Sequence, residues 1–313
     1  MSAPIPPDDQ NRDLGFGSVV SRESKLRLLN RDGSFNVERE GLSFWASLSG
    51  YHYLLTISWA RFVAMLTVVY FLLNALFAEA YLLCGPDALM GGLGHLDNPV
   101  LRAFFFSVQT FATIGYGSIV PATLAANLIV TVESLVGLLS FAWGAAILFA
   151  RFSRPTAQIL FSKTAVIAPY RGATAFEFRI ANQRKNQIIE LEAKVLFSRV
   201  EQDETGVNRR FYTLELERQK VVFFPLAWTV VHPIDQRSPL FGLTEKDFKT
   251  SEVEFLVLLS GIDETFSQTV HARSSYKANE VVWNAKFTDI FVRPADDEPL
   301  KIDIGRLHDF ERL

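Results

Sequence analysis

Thr110-Phe111-Ala112-Thr113-Ile114-Gly115-Tyr116-Gly117 is the stretch on which the fold of this chain turns. It closes a short apolar segment, Ala103 to Thr113, and lies between two long apolar runs, Phe62 to Leu83 and Leu124 to Phe152. At about 1.5 Å per residue the first run extends roughly 33 Å as a helix, enough to cross a bilayer, and the second is longer. The segment between them is too short to cross, so it is either re-entrant or interfacial. Irregular backbone at membrane depth is tolerated only where it is buried in protein or lines an aqueous path. Gly115 and Gly117 open backbone angles that other residues avoid, so consecutive carbonyls can point the same way and replace water around a dehydrated cation. The ligands expected are the carbonyls of Thr113, Ile114, Gly115 and Tyr116, with the Thr113 hydroxyl, and Gly117 completes the string. One chain supplies one loop, so a closed path requires a fourfold homotetramer with the partial negative ends of four short helices facing a central cavity.

The rest of the chain divides sharply. Mean hydropathy over the 313 residues is +0.16, yet between Phe62 and Ala150 the only basic residue is Arg102, whereas charge is dense before Arg39 and after Arg151. With 31 Lys+Arg against 34 Asp+Glu there is no basic excess of the kind that nucleic-acid binding uses. The single cysteine, Cys84, cannot form an intrachain disulfide and reads as an apolar filler. No Gly-rich phosphate loop stands at a strand-to-helix junction, and the histidines at 52, 95, 232, 271 and 308 are scattered. The chain is therefore expected not to be an enzyme, and to need neither cofactor nor small-molecule substrate.

Residues 1–41 are polar and begin without a signal peptide, as a disordered cytoplasmic arm. Over 42–57, Phe44, Trp45, Leu48, Tyr51, Leu54 and Leu55 recur at helical spacing. That segment reads as an interfacial helix, with an ordinary surface helix as the alternative. A pore domain follows over 58–155, with an outer helix at 59–83, a pore helix at 101–112, the string at 113–117 and an inner helix at 122–152. Lysine and arginine are missing from the Cys84 to Val100 loop, while Arg61 precedes the first span and Arg151, Arg154 and Lys163 follow the second. Both termini are then cytoplasmic and the chain is a multi-pass protein of the plasma membrane. Beyond Pro155 the period changes to two: Phe176, Phe178 and Ile180, then Leu191, Ala193, Val195 and Phe197, then Val253, Phe255, Val257 and Leu259 alternate as half-buried strands. Further strands are expected at Arg210 to Glu217, Val221 to Val231, Glu280 to Val292 and near Ile302, making an all-β sandwich over 156–313.

These residues together resemble the prokaryotic inward-rectifier potassium channels, the KirBac family. The resemblance rests on AFFFSVQTFATIGYG (Ala103 to Gly117), SWARF before the first span, NALFAEAYL within it, FARFSRP (Phe149 to Pro155), HPIDQRSPLFG (His232 to Gly242) and HARSSYKANEVVW (His271 to Trp283). It covers nearly everything from Leu29 onward. It implies a two-helix pore with a re-entrant pore helix, an immunoglobulin-like cytoplasmic β-sandwich, an interfacial slide helix, and potassium as the permeant ion. On the family pattern Phe149 is the bundle-crossing gate, or else an aromatic packed on a neighbouring helix. Gly137 falls at the inner-helix hinge, with close packing as the competitor. Asn74 reads as a hydrogen-bonding residue of the bundle and Glu133 resembles the acid behind the filter, a buried anchor; Glu79 lies near the outer interface.

Inward rectification needs acidic groups that hold a blocking cation. The cavity position is Phe141 here, Lys220 and Ser260 stand at cytoplasmic-pore positions acidic in strong rectifiers, and Glu190 alone keeps its charge, so polyamine block is expected to be weak. Gly261-Ile262 resembles a loop that forms a second constriction. Arg151, Arg154 and Lys163 are placed for anionic phospholipid headgroups, though the positive-inside bias alone accounts for basic residues there; the resemblance implies inhibition by phosphoinositides. A poorly selective two-span cation channel and a membrane-anchored sensor are the alternatives.

Overall fold

The computed structural model describes residues 27–37, 50–92, 94, 98–153, 157–184, 187–203, 206–224, 226–292 and 301–313. They belong to two compact units, Glu40–Arg154, and Met1–Arg39 with Pro155–Leu313.

The first unit is helical. A short helix α1 (Gly50–Thr56) leads into α2 (Trp59–Leu83), the short α3 (Pro99–Phe111) and α4 (Leu124–Phe152). Phe44, Trp45 and Leu48 of the expected interfacial helix lie outside the described residues. Helices α2 and α4 are long and apolar enough to cross a membrane, and only 17% of the most apolar stretch of each is buried within the chain. The remaining apolar surface must be covered by lipid or by further copies. Helix α3 begins ahead of the expected residue 101 because the Asn98 side chain accepts from the Val100 N–H at 2.9 Å and Pro99, which has no N–H to satisfy, takes the first helical position. Helix α4 begins after the expected residue 122 because Thr123 is its cap, accepting from the Ala126 N–H at 3.2 Å.

A small antiparallel pair not anticipated from sequence, β1 (Leu89–Gly91) with β2 (Ile119–Pro121), brackets α3 and the string. Strands of three residues are too short for alternation to reveal. Gly91 is required there: its φ is +91° and a Cβ would lie 2.0 Å from the Ser118 carbonyl oxygen.

The second unit is a sandwich of two five-stranded sheets. In one, β6 (Ile188–Asp203) pairs with β7 (Gly206–Thr213), β8 (Lys220–Phe224) and β10 (Glu254–Asp263), and β10 with β11 (Gln268–Lys277). In the other, β5 (Ala173–Asn182) pairs with β3 (Ile159–Phe161), β4 (Ala165–Tyr170) and β9 (Ala227–Ile234), and β4 takes β12 (Val281–Trp283) in parallel. The alternating apolar faces of β5, β6 and β10 meet in one core, where the Phe176 and Phe255 rings stack with centroids 4.0 Å apart. Each such side chain contributes about 1.5–3 kcal/mol by leaving water.

Three expected strands are redrawn. Residues 221–231 are divided between β8, which ends at Phe224, and β9, which starts at Ala227. Residues 280–292 form β12, β13 (Ala285–Phe287) and β14 (Phe291–Val292), because a 3-10 turn at Ala278–Glu280 and positive φ at Asn284 break the run. Strand β7 starts and ends earlier than the expected 210–217. Two short strands complete the unit, β15 (Lys301–Ile302) on β14 and β16 (Phe310–Arg312) on β13.

Residues 27–37 depart from the expected arm. The Leu28 and Leu29 side chains are buried with Phe211 and Leu256, and their N–H groups donate to the buried Glu254 carboxylate at 3.0–3.2 Å. Arg31 donates to the Ser162 carbonyl at 2.6 Å and lies over the Tyr276 ring.

Candidate ion-conduction site

Helix α3 ends at Phe111 and the backbone turns abruptly. Gln109 O accepts from both Ile114 N, at 2.7 Å, and Gly115 N, at 3.3 Å, and Thr110 O accepts from Thr113 N at 3.0 Å. These bonds tie the start of the string to the last turn of α3. Residues 112–118 are exposed in a single chain, with Ile114 at 47% and Tyr116 at 75%.

The backbone conformation is distinctive. φ is +56° at Thr113, +58° at Gly115 and +77° at Gly117, and not positive at Ile114 or Tyr116. A chain that changes hand at every residue turns successive carbonyls to the same side, where a regular strand would alternate them. At Gly115 and Gly117 a Cβ would meet nothing within 4 Å, so it is the angle and not crowding that calls for glycine. Thr113 is β-branched and holds the left-handed conformation at a cost of about 1–3 kcal/mol, strain of the kind that collects at functional positions. The C-terminal end of α3 contributes the partial negative charge of its last carbonyls beside the string.

Behind α3 a polar chain joins the helices. Glu133 on α4, Ser107 on α3 and Asn74 on α2 are fully buried, and Tyr81 is 1% exposed. Tyr81 Oη donates to Glu133, Ser107 Oγ lies within hydrogen-bond distance of both Glu133 and Asn74, and Asn74 Nδ2 donates to the Tyr70 carbonyl at 2.7 Å. Asn74 and Glu133 were legible as polar residues in apolar helices. Tyr81 and Ser107 were missed, although Tyr81 falls seven residues after Asn74 and shares its helix face. Glu79 is exposed on α2.

Gly137 lies in the uninterrupted helix α4, buried against the end of α3; a Cβ there would approach the Phe111 carbonyl oxygen to 2.6 Å. Close packing, the competitor of the hinge, thus has a concrete basis. Phe141 and Phe149 project from α4 with 77% and 73% of their surface exposed in a single chain.

Arg151, expected among the headgroup partners, also has partners within the chain. Its guanidinium donates to the Leu54 carbonyl and, at 2.7 Å, to the Ile57 carbonyl, and lies over the Trp59 and Phe62 rings at 4.6 and 4.5 Å. It caps the open carbonyl end of α1 and fastens that helix to the end of α4. Phe152 adds to the same junction against Trp59, with ring centroids 5.0 Å apart. Arg154 lies outside the described residues. Lys163 is exposed in the β unit, between β3 and β4, where its N–H donates to His308 Nδ1 at 3.2 Å.

In the β unit, Glu190 has φ +53° and pairs with Lys220 at 3.2 Å, so the one acid retained among the expected pore positions faces a cation. Ser260 Oγ and His271 Nδ1 are 2.9 Å apart on neighbouring strands. Gly261 and Ile262 lie inside β10 and not in a loop; a Cβ on Gly261 would come within 2.7 Å of Ile188.

Residues 59–154 match the family described as ion channel, and residues 159–313 the family described as inward rectifier potassium channel C-terminal domain. The chain is 44% identical over 295 residues to the inward rectifier potassium channel Kirbac3.1 of Paramagnetospirillum magnetotacticum, covering 94% of this chain and 98% of that one. It is 33% identical over 220 residues to the human inward rectifier potassium channel 18, covering 66% of this chain and 50% of the longer human protein. Human inward rectifier potassium channel 4 is 29% identical over 245 residues, 72% of this chain and 54% of its own. With a two-span helical unit, a string of alternating backbone hand after a short capped helix, and a β-sandwich, the chain belongs to the inward rectifier potassium channel family.

Proposed function

We propose that four copies of this chain form a potassium-selective channel of the plasma membrane, with both termini in the cytoplasm, in which potassium passes along the carbonyls of Thr113, Ile114, Gly115 and Tyr116. The observation that carries this is the alternation of φ sign over 113–117, strained at a β-branched residue and anchored to Gln109. A chain with no use for aligned carbonyls gains nothing from that strain. Four such strings around one axis form rings of oxygens that replace the hydration shell. The exposed apolar surface of α2 and α4 supplies what copies and lipid must cover.

Phe149 is the constriction at the inner end of α4 and Phe141 lines the cavity. Gly137 is where α4 bears on the end of α3, so any bending of α4 there is coupled to the string. Anionic phospholipid acts on the junction of α1 with α4, which Arg151 holds as a latch, with Arg154 and Lys163 the remaining headgroup partners. Polyamine block is weak, because Phe141 brings no charge and Glu190 is matched by Lys220. The β unit is the regulatory part, with Glu190, Gly261 and Ile262 along its share of the path.

Rubidium uptake into potassium-loaded liposomes tests the function. Barium-sensitive uptake without matching sodium uptake is expected, and equal sodium permeation would make this a poorly selective cation channel instead.

A further inference from the structure

The polar chain behind α3 is enclosed within a single copy, so its hydrogen atoms can be counted without reference to lipid or to neighbouring subunits. Asn74 Nδ2 donates to the Tyr70 carbonyl at 2.7 Å, which turns Asn74 Oδ1 toward Ser107 Oγ at 3.1 Å. Reversing the amide would set Oδ1 against the Tyr70 carbonyl oxygen, acceptor against acceptor. Ser107 Oγ also stands against Glu133 Oε1. One hydroxyl hydrogen therefore faces two acceptors. Tyr81 spends its own hydrogen on Glu133 Oε2.

Were Glu133 ionised, it would take the Ser107 hydrogen and leave Asn74 Oδ1 buried without a donor. It would also hold a full charge on two hydroxyls. Arg102, the one lysine or arginine between Phe62 and Ala150, stands earlier on α3 and donates to the Gly91 carbonyl at 3.2 Å. A proton on Glu133 Oε1 removes both difficulties at once. Glu133 then donates to Ser107, Ser107 to Asn74 and Asn74 to the Tyr70 carbonyl, while Tyr81 donates to Oε2, and every buried polar atom of the chain is matched.

We infer that Glu133 is held as a neutral carboxylic acid, and that the directed chain from Tyr81 through Glu133, Ser107 and Asn74 is the positioning device that fixes α3, and with it Thr113–Gly117, against both spans. The positioning half rests on the conduction path proposed above; the neutral acid does not.

Infrared difference spectroscopy of the reconstituted channel at neutral pH tests it. Wild type minus Glu133→Gln is expected to contain the carbonyl stretch of a hydrogen-bonded carboxylic acid, which Ser107→Ala moves to higher frequency. A difference containing only carboxylate stretches would overturn the inference. If Glu133→Gln does not assemble, Tyr81→Phe keeps the ring and removes one bond to the same carboxyl, so it must shift that band; a spectrum it leaves unchanged also counts against the neutral acid. For positioning, the potassium-to-sodium permeability ratio is expected to stay within about threefold in Glu133→Gln, which can still donate to Ser107, and to fall about tenfold or more in Glu133→Ala and Ser107→Ala. Equal ratios in the Gln and Ala variants would remove the positioning role. Wild type that passes no potassium while retaining the band would overturn the conduction path and leave the neutral acid standing.

Discussion

Gly137→Ala places a methyl carbon 2.6 Å from the Phe111 carbonyl oxygen and 3.3 Å from Phe111 C and Cα. The oxygen contact falls short of the ordinary 3.4 Å by about 0.8 Å. All three atoms are backbone, and Phe111 is the last residue of α3, so relief requires moving either α4 or the turn that sets Thr113. Alanine gains up to about 1 kcal/mol of helix propensity at a mid-helix position. Overpacking of a rigid contact costs about 1–3 kcal/mol, and set against the full propensity gain the balance is a net loss of up to about 2 kcal/mol in each subunit. The assay is thermal dissociation of the detergent-solubilised tetramer, paired with rubidium uptake and its sodium competition. Lower stability together with weakened discrimination against sodium is expected, since the displaced group adjoins the proposed ion path at Thr113–Gly117. If Gly137 served only as a hinge, alanine would stiffen α4 and leave the resting tetramer as stable as wild type or more so. A variant that melts at or above wild type would refute the packing account.

Removing the guanidinium in Arg151→Ala forfeits two charge-assisted bonds to the Leu54 and Ile57 carbonyls and is expected to cost about 1.5–3 kcal/mol of tetramer stability, with Arg151→Lys a poor substitute because an ammonium cannot span both carbonyls and lie on two rings. Melting curves with and without phosphoinositide check this. Lys220→Ala frees Glu190 from its partner at 3.2 Å and is expected to deepen spermine block of outward current by about threefold or more, read from voltage steps with cytoplasmic spermine. Burial holds His232 below its ordinary 6.5, with its ring between the Glu215 carbonyl at 2.6 Å and Ser238 Oγ at 2.7 Å. The unfolded chain therefore binds a proton that the folded one resists, and the stability contributed is complete above 6.5 and is lost as pH falls from there toward the depressed value. His232→Gln is expected to flatten the fall in melting temperature between about pH 7 and pH 5.

The architecture was legible wherever a period ran long enough to be seen. The bounds of α2 agree with the expected outer helix, and the alternation in β5, β6 and β10 located the sandwich core. Short or locally capped features were not legible. Neither β1–β2 nor the split of residues 280–292 has a period to read, and residues 27–37 looked polar because their contribution is two leucines and a set of backbone donors that find Glu254. At the site, the glycines of TIGYG marked two positions open to positive φ, but the left-handed backbone at Thr113 had no signal in a residue type that resists it. The intrachain partners of Arg151 were not legible for a physical reason: charge at a span end marks orientation, whereas the carbonyls of Leu54 and Ile57 that it meets carry no sequence signal at all.

The carbonyls of Thr113 to Tyr116 are expected to form the ion path where four copies meet. Crystals of the tetramer grown in rubidium test it directly through anomalous scattering. Rubidium peaks in a single file on the fourfold axis, flanked by those carbonyls and lost when rubidium is replaced by sodium, are the predicted result. A fourfold tetramer whose 113–117 strings enclose no rubidium, or an assembly in which those strings do not face a common axis, would contradict it.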